Sequence, residues 1–183
     1  MRRLARRAKG EGSSRSLHVV VCGGTCEEWS RRSDEHWNQW AAEIAAAAAG
    51  EGVGSVTVYP LTGSTASSDA IRRWSIAGVA VTACGEADGR RRMAEVIDSW
   101  PSGLAMTEET LGRALVGPGG DPDVVAVVGA TGRLPTALVW ELAYAELVDV
   151  TTDWESFSGR ELSVVIDEFR TRNRRFGGVD EAP

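Results

Sequence analysis

Residues Asp123–Val148 read DVVAVVGATGRLPTALVWELAYAELV. Val124–Val128 is a continuous apolar run of strand length, the pattern of a strand covered on both faces in a parallel sheet. Pro135, whose fixed φ suits a first helical turn, opens a helix expected to continue through Leu147. Val148–Thr151 then adds a short strand. Working outward, the same alternation recurs. Leu17–Cys22 (LHVVVC) is a second buried run, turning at Gly23-Gly24-Thr25 into a helix over Glu28–Gly50. Ser55–Leu61 and Val79–Cys84 read as further strands. Arg90–Trp100 reads as a helix stopped by Pro101, and Thr107 caps a short helix through Gly112 to Val116. The quartet Ser158-Gly159-Arg160-Glu161 is a capping box opening a last helix, with Leu162, Val165, Ile166 and Phe169 on one face. Strands alternating with helices give an α/β fold with a mainly parallel central sheet and flanking helices.

The 183 residues suffice for one domain with a real core, expected over 17–179, between a disordered basic tail at 1–16 and a flexible end at 180–183. A net charge of −6 argues against nucleic-acid binding, which requires a basic face to replace counterions. No apolar run reaches the roughly 18 residues of a spanning helix. The start, MRRLARRAKGEGSSRS, has charge but no apolar core of a signal peptide, so membrane contact is at most peripheral, through its basic residues. Cys22, Cys26 and Cys84 lack the paired spacing of a zinc site, and a reducing cytoplasm is the expected compartment.

Asp123–Val148 and the ending Arg174-Arg175-Phe176-Gly177-Gly178 closely resemble the C-terminal third of the cis-prenyltransferases, the undecaprenyl and dehydrodolichyl diphosphate synthase family. The resemblance is strong over Asp123–Val179 and weaker over Leu17–Leu61. It implies a cis-prenyltransferase-like fold, shortened in the middle. In that family a histidine and a short strand lead into an Asp-Gly-Asn-x-Arg-Trp turn. Its aspartate holds magnesium, and its amides and arginine hold the allylic diphosphate, as suits a helix N-terminus. His18 and Trp29 fall at the family's spacing. Between them Gly24 stands at the aspartate, Cys26 at the asparagine and Glu28 at the arginine. Glycine offers no oxygen to a hard cation. Glu27 and Glu28 place two negative charges beside a diphosphate, at about 1–4 kcal/mol per like-charge contact. A Gly-Gly turn with acidic residues favouring the helix start explains the same residues. His36 corresponds to the family's phosphate-side histidine only across a gap, and otherwise reads as a surface residue.

The family's isopentenyl diphosphate site is an Arg-Thr-Gly-Gly-Glu turn followed by Arg-x-Ser. Here Val127 and Val128 replace the Arg-Thr, Gly129 and Arg133 are kept, and Pro135 replaces the serine. The lost hydrogen bonds are worth about 1–3 kcal/mol each. Arg133 reads either as a phosphate ligand or as a surface arginine beside a turn. Glu146, in Ala143-Tyr144-Ala145-Glu146-Leu147, reads as a magnesium ligand by resemblance or as a structural glutamate. Arg175-Phe176-Gly177 matches the family's Arg-x-Gly tail, which crosses the dimer interface onto the partner's isopentenyl diphosphate. A basic helix end with a glycine cap is the other reading. Only Thr62–Ala77 separates the second and third strands, where the family carries a long helix and a strand that wall the prenyl tunnel.

The resemblance therefore implies an accessory subunit of a heteromeric cis-prenyltransferase. Its partner would be a full-length catalytic subunit that holds the magnesium ion, and the two would share an isopentenyl diphosphate site completed by Arg175 and Gly177. Two alternatives stand beside it: a stand-alone short-chain or irregular prenyl diphosphate synthase of secondary metabolism, and a regulatory or binding protein keeping only the fold.

Overall fold

The computed structural model describes residues 16–62, 71–117, 120–129, 132, 134–143 and 145–176, with the backbone alone at 173–176. Strand β1 (Leu17–Cys22) lies at the centre of the sheet, parallel to β2 (Val53–Tyr59) on one side and to β5 (Val124–Val128) on the other. β4 (Val79–Cys84) extends the sheet beyond β2, and β6 (Glu146–Val150) extends it beyond β5, both in parallel. β3 (Ile71–Ile76) closes the β4 edge as the antiparallel arm of a hairpin. The order is β3-β4-β2-β1-β5-β6.

Among the described residues five helices flank this sheet: α1 (Cys26–Arg31), α2 (Asp34–Gly50), α3 (Gly89–Asp98), α4 (Glu108–Val116) and α5 (Gly159–Phe176). One face carries the main core. Val19, Val21, Val56, Val58, Val124 and Ala126 meet Ile44 of α2 and Leu162, Val165 and Ile166 of α5. Each fully buried aliphatic chain of this size contributes about 1.5–3 kcal/mol. The other face holds a smaller cluster of Val20, Cys22, Tyr59, Val125, Val127, Ala137 and Leu138. Both expected helix caps form. Thr107 accepts from Thr110 N at 3.2 Å, and Glu161 accepts from Ser158 N at 3.0 Å.

Three expectations are corrected. The helix expected over Glu28–Gly50 is two helices, because Ser33 leaves the helical conformation and accepts from His36 N to start α2. The stretch Thr62–Ala77, expected only as a separator, contains β3. Ala77 (φ 50°) and Gly78 (φ 79°) form its two-residue turn, both left-handed as a tight hairpin requires. The third correction concerns Pro135–Leu147. It holds a turn and a 3-10 segment at Glu141–Ala143, and β6 begins at Glu146. Tertiary contacts claim the carbonyls a helix would need. Thr136 O accepts from Gly89 N at 3.0 Å, and Ala137 O accepts from the Arg92 guanidinium at 3.0 Å.

Arg92 anchors that segment. Besides Ala137 O it donates to Tyr59 Oη (2.7 Å), Leu115 O (2.9 Å) and Glu141 Oε1 (2.5 Å), so α3, α4, β2 and the 134–143 segment meet on one guanidinium. Glu141 is fully buried, and its ion pair through Oε1 offsets part of the desolvation, while Glu141 Oε2 and Arg92 Nε are buried without a hydrogen bond among the described residues.

Candidate functional site

β1 lies between β2 and β5, so the chain leaves it at the point where strand connections diverge to opposite sides, the usual crevice for ligands in an open α/β sheet. The residues there are Gly23, Gly24 and Thr25. Their backbone is zipped to the end of β2: Gly23 N donates to Tyr59 O (3.0 Å), Leu61 N to Gly24 O (2.7 Å) and Cys26 N to Thr62 O (3.0 Å). Thr25 caps α1 in a reciprocal box. Thr25 N donates to Glu28 Oε2 at 2.6 Å, and Glu28 N to Thr25 Oγ1 at 3.1 Å. Four amides of this helix start, those of Gly23, Thr25, Cys26 and Glu28, thus already have internal acceptors.

Space is closed as well. Gly24 is left-handed at φ 71°, and a Cβ there would stand 2.7 Å from both Cγ and Nε1 of Trp154. A Cβ on Gly23 would stand 2.6 Å from Trp154 Cε3 and 2.9 Å from Val128 Cβ. Real Cβ atoms do not approach this closely, so the two glycines exist to admit the indole. Trp154 is in turn held by stacking on Trp29 (centroids 5.8 Å apart, 18° between planes) and on Phe157 (6.3 Å, 14°). Trp29 donates its Nε1 to Gly23 O at 2.9 Å, locking the turn from its own helix. The Arg32 guanidinium lies 4.7 Å over Trp154 and donates to its carbonyl at 3.2 Å; burial pushes the pKa of that guanidinium down. With Trp37, Trp40 and Trp74, five of the seven tryptophans form one connected aromatic group beneath the turn.

The residues here do not fit a divalent cation. Gly24 has no donor, Glu28 is engaged in the cap, and Glu27 pairs with Arg31. Among the described residues no group of three or more His, Cys, Asp or Glu side chains gathers. Burial raises the pKa of Cys22 far above a thiol's ordinary value, and burial followed by the charge of Glu86 raises that of Cys26, so both stay protonated near neutrality.

The other candidate residues divide between the two edges of the sheet. Gly129 (φ 70°) ends β5 beside the Gly23–Gly24 turn, with its N–H on Val150 O at 2.8 Å. Val127 and Val128 are buried core residues. Glu146 opens β6 opposite Val124, at the amino edge, and its N–H donates to Asp123 O at 3.1 Å. Within one chain it is separated from Gly24 by the length of the strands. α5 runs back toward the same amino edge: Arg170 donates to Glu51 O (2.6 Å) and Arg172 to Leu147 O (2.6 Å). Arg175 lies in the last turn of α5, with only its backbone described, while Arg133 and Gly177 lie outside the described residues. His18 is buried, with Nδ1 2.8 Å from Gly120 O and Nε2 3.0 Å from Thr57 Oγ1; His36 is exposed at the start of α2. Sequence reasoning missed Trp154, whose one signal was an aromatic residue set against a Gly-Gly turn far away in the chain.

A family model described as putative undecaprenyl diphosphate synthase matches residues 68–177. An isoprenyl transferase of Wolinella succinogenes is 39% identical over 79 residues, 43% of this chain and 35% of that protein. One of Listeria innocua is 35% identical over 91 residues, 49% of this chain and 36% of that protein. The chain thus spans about a third of the length of the curated relatives it matches. The crystal structure of lavandulyl diphosphate synthase from Lavandula x intermedia shares the fold at a TM-score of 0.56 and 14% identity, over 90% of this chain and 99% of that one. With the model matching well over half of its residues, the chain belongs to the undecaprenyl diphosphate synthase family, the cis-prenyltransferases.

Proposed function

We propose that this chain is the non-catalytic subunit of a heteromeric cis-prenyltransferase. The observation that carries the reading is Trp154 seated against Gly24: the place of the family's catalytic aspartate is filled by core packing. An allylic diphosphate would compete there with Trp154 for space and with internal acceptors for the amides of Thr25, Cys26 and Glu28, and among the described residues no cluster of ligands gathers for magnesium. Activation of the allylic substrate then falls to a full-length partner, which holds the magnesium ion.

What this chain supplies is isopentenyl diphosphate binding at a shared site. Arg175 offers a planar pair of donors suited to a phosphate, and Gly177 lets backbone approach the oxygens closely. The end of α5 lies at the amino edge of the sheet, away from the chain's own filled turn, which favours service to a second chain over service in cis. Gly129 and Arg133 form the remnant of this chain's own diphosphate turn, and Glu146 contributes to metal binding only within the assembled complex.

Arg175→Ala tests the reading. Turnover of the complex should fall about 10- to 100-fold, the equivalent of one or two charge-assisted hydrogen bonds, while assembly by size-exclusion chromatography is unchanged. Unaltered turnover in an intact complex would remove the tail from the mechanism.

A further inference from the structure

β2 and β4 present two unlike faces. Toward α2 they carry Val56, Val58, Val79, Val81 and Ala83, all buried. Toward α3 and α4 the same strands carry Ser55, Thr57, Ala80, Thr82 and Cys84. Parallel strands are usually apolar on both faces, so a row of hydroxyls on the covered side of a sheet is a departure; Thr57 gives its hydroxyl to His18 Nε2 at 3.0 Å. The register aligns it: Thr82 pairs with Thr57 on β2 and with Arg73 on β3, placing these three side chains on one rung of adjacent strands.

A cavity of about 570 Å³ stands over this rung, within the size range of small-molecule sites. Its far wall is apolar, from Val96 of α3 and Leu115 and Val116 of α4. The two acidic lining residues share one cation. Glu86 pairs with Arg91 at 2.8 Å, Glu95 with Arg91 at 3.2 Å, and Arg92 is committed to Glu141. Arg73 forms no ion pair among the described residues, so of the two lining arginines it is the one not committed to a carboxylate. Trp154, which fills the Gly23–Gly24 turn, belongs to the core on the α2 face.

We propose that the cavity over β2, β3 and β4 binds a small organic anion, with its carboxylate or phosphate on Arg73 and Thr82 and its apolar body against Val96, Leu115 and Val116. Arginine with a neighbouring hydroxyl suits either head group, and the apolar wall suits a short alkyl body. This site is independent of the proposed role in prenyl transfer, since no residue of the Gly23–Gly24 turn or of the α5 tail lines it.

The test is titration of the full chain, followed by amide NMR, with hexanoate, hexyl phosphate, inorganic phosphate and 1-hexanol. Saturable shifts centred on Thr57, Thr82 and Cys84 are expected with hexanoate or hexyl phosphate. The tighter of the two identifies the head group. Inorganic phosphate and hexanol should bind at least about tenfold more weakly, each lacking one half of the recognition. Arg73→Gln, at an exposed position on an edge strand, should weaken binding about tenfold or more with the remaining spectrum unchanged. Ala114→Trp, on the exposed side of α4, should block the cavity and abolish the shifts. The proposal is overturned by the absence of saturable shifts with every probe, by hexanol binding as well as the anions, or by undiminished binding in Arg73→Gln.

Discussion

The two ends of the sheet have had opposite fates. At the carboxyl edge the β1–α1 turn is closed: two glycines admit an indole, a capping box takes the amides, and an aromatic group fills the space beneath. At the amino edge α5 brings Arg170 to Glu51 and Arg172 to Leu147 at the start of β6. A binding cradle and a folding nucleus compete for the same atoms. Where the backbone donors and the space above a turn are given to the core, stability is gained and ligand binding is lost. On the proposed reading, the family scaffold keeps its architecture while the turn after β1 is given over to packing and the end of α5 serves a partner.

The comparison breaks most directly at Trp154. Trp154→Ala should cost about 3–5 kcal/mol in chemical denaturation, as for other large core truncations. Gly24→Ala should be severely destabilising in the parent but cost only the left-handed strain, about 1–2 kcal/mol, once Trp154 is alanine. A double-mutant cycle should therefore show coupling of about 0.5–3 kcal/mol, and strict additivity would mean that the indole does not occupy the space of residue 24.

Next in size is the anchor on the other face. Glu141→Ala leaves Arg92 buried and unmatched and should cost about 3–5 kcal/mol, with Tyr59 and the 134–143 segment losing amide protection together. Loss of protection confined to residue 141 would count against Arg92 as the common anchor.

The smallest effect belongs to the start of α5. Ser158→Ala should cost about 1 kcal/mol and loosen the helix that carries the tail. The bond from Ser158 holds the Glu161 carboxyl below its usual range. A carboxyl depressed in the folded state adds stability above its unfolded pKa and loses it as pH falls through the folded one. The gap between parent and Ser158→Ala should accordingly narrow on acidification below the ordinary carboxylate range. A gap independent of pH would assign the cap to the hydroxyl alone.

Much of this was legible in the sequence, and the illegible parts share a cause. LHVVVC and VVAVV announce buried strands because both their faces are covered, and the Thr107 and Ser158 caps are readable because their partners lie three residues away. β3 was obscured by its polar edge residues Arg72, Arg73 and Ser75, although the Ala77–Gly78 turn marked a hairpin. The 134–143 segment looks helical by pattern and is not, because Arg92 and Gly89 take its carbonyls from across the fold. At the candidate site, the Gly-Gly turn was visible in the sequence at Gly23–Gly24. Its packing against Trp154 was not, since only the fold brings those residues together.

The central claim is best tested by radiolabelled isopentenyl diphosphate incorporation with an allylic primer and magnesium. The samples would be this chain alone, a candidate full-length relative alone, and the two co-expressed. The account predicts no turnover from this chain alone and a large gain in the co-expressed sample over the relative by itself. Magnesium-dependent turnover by this chain alone would contradict it, and would mean that a group other than residue 24 activates the allylic diphosphate.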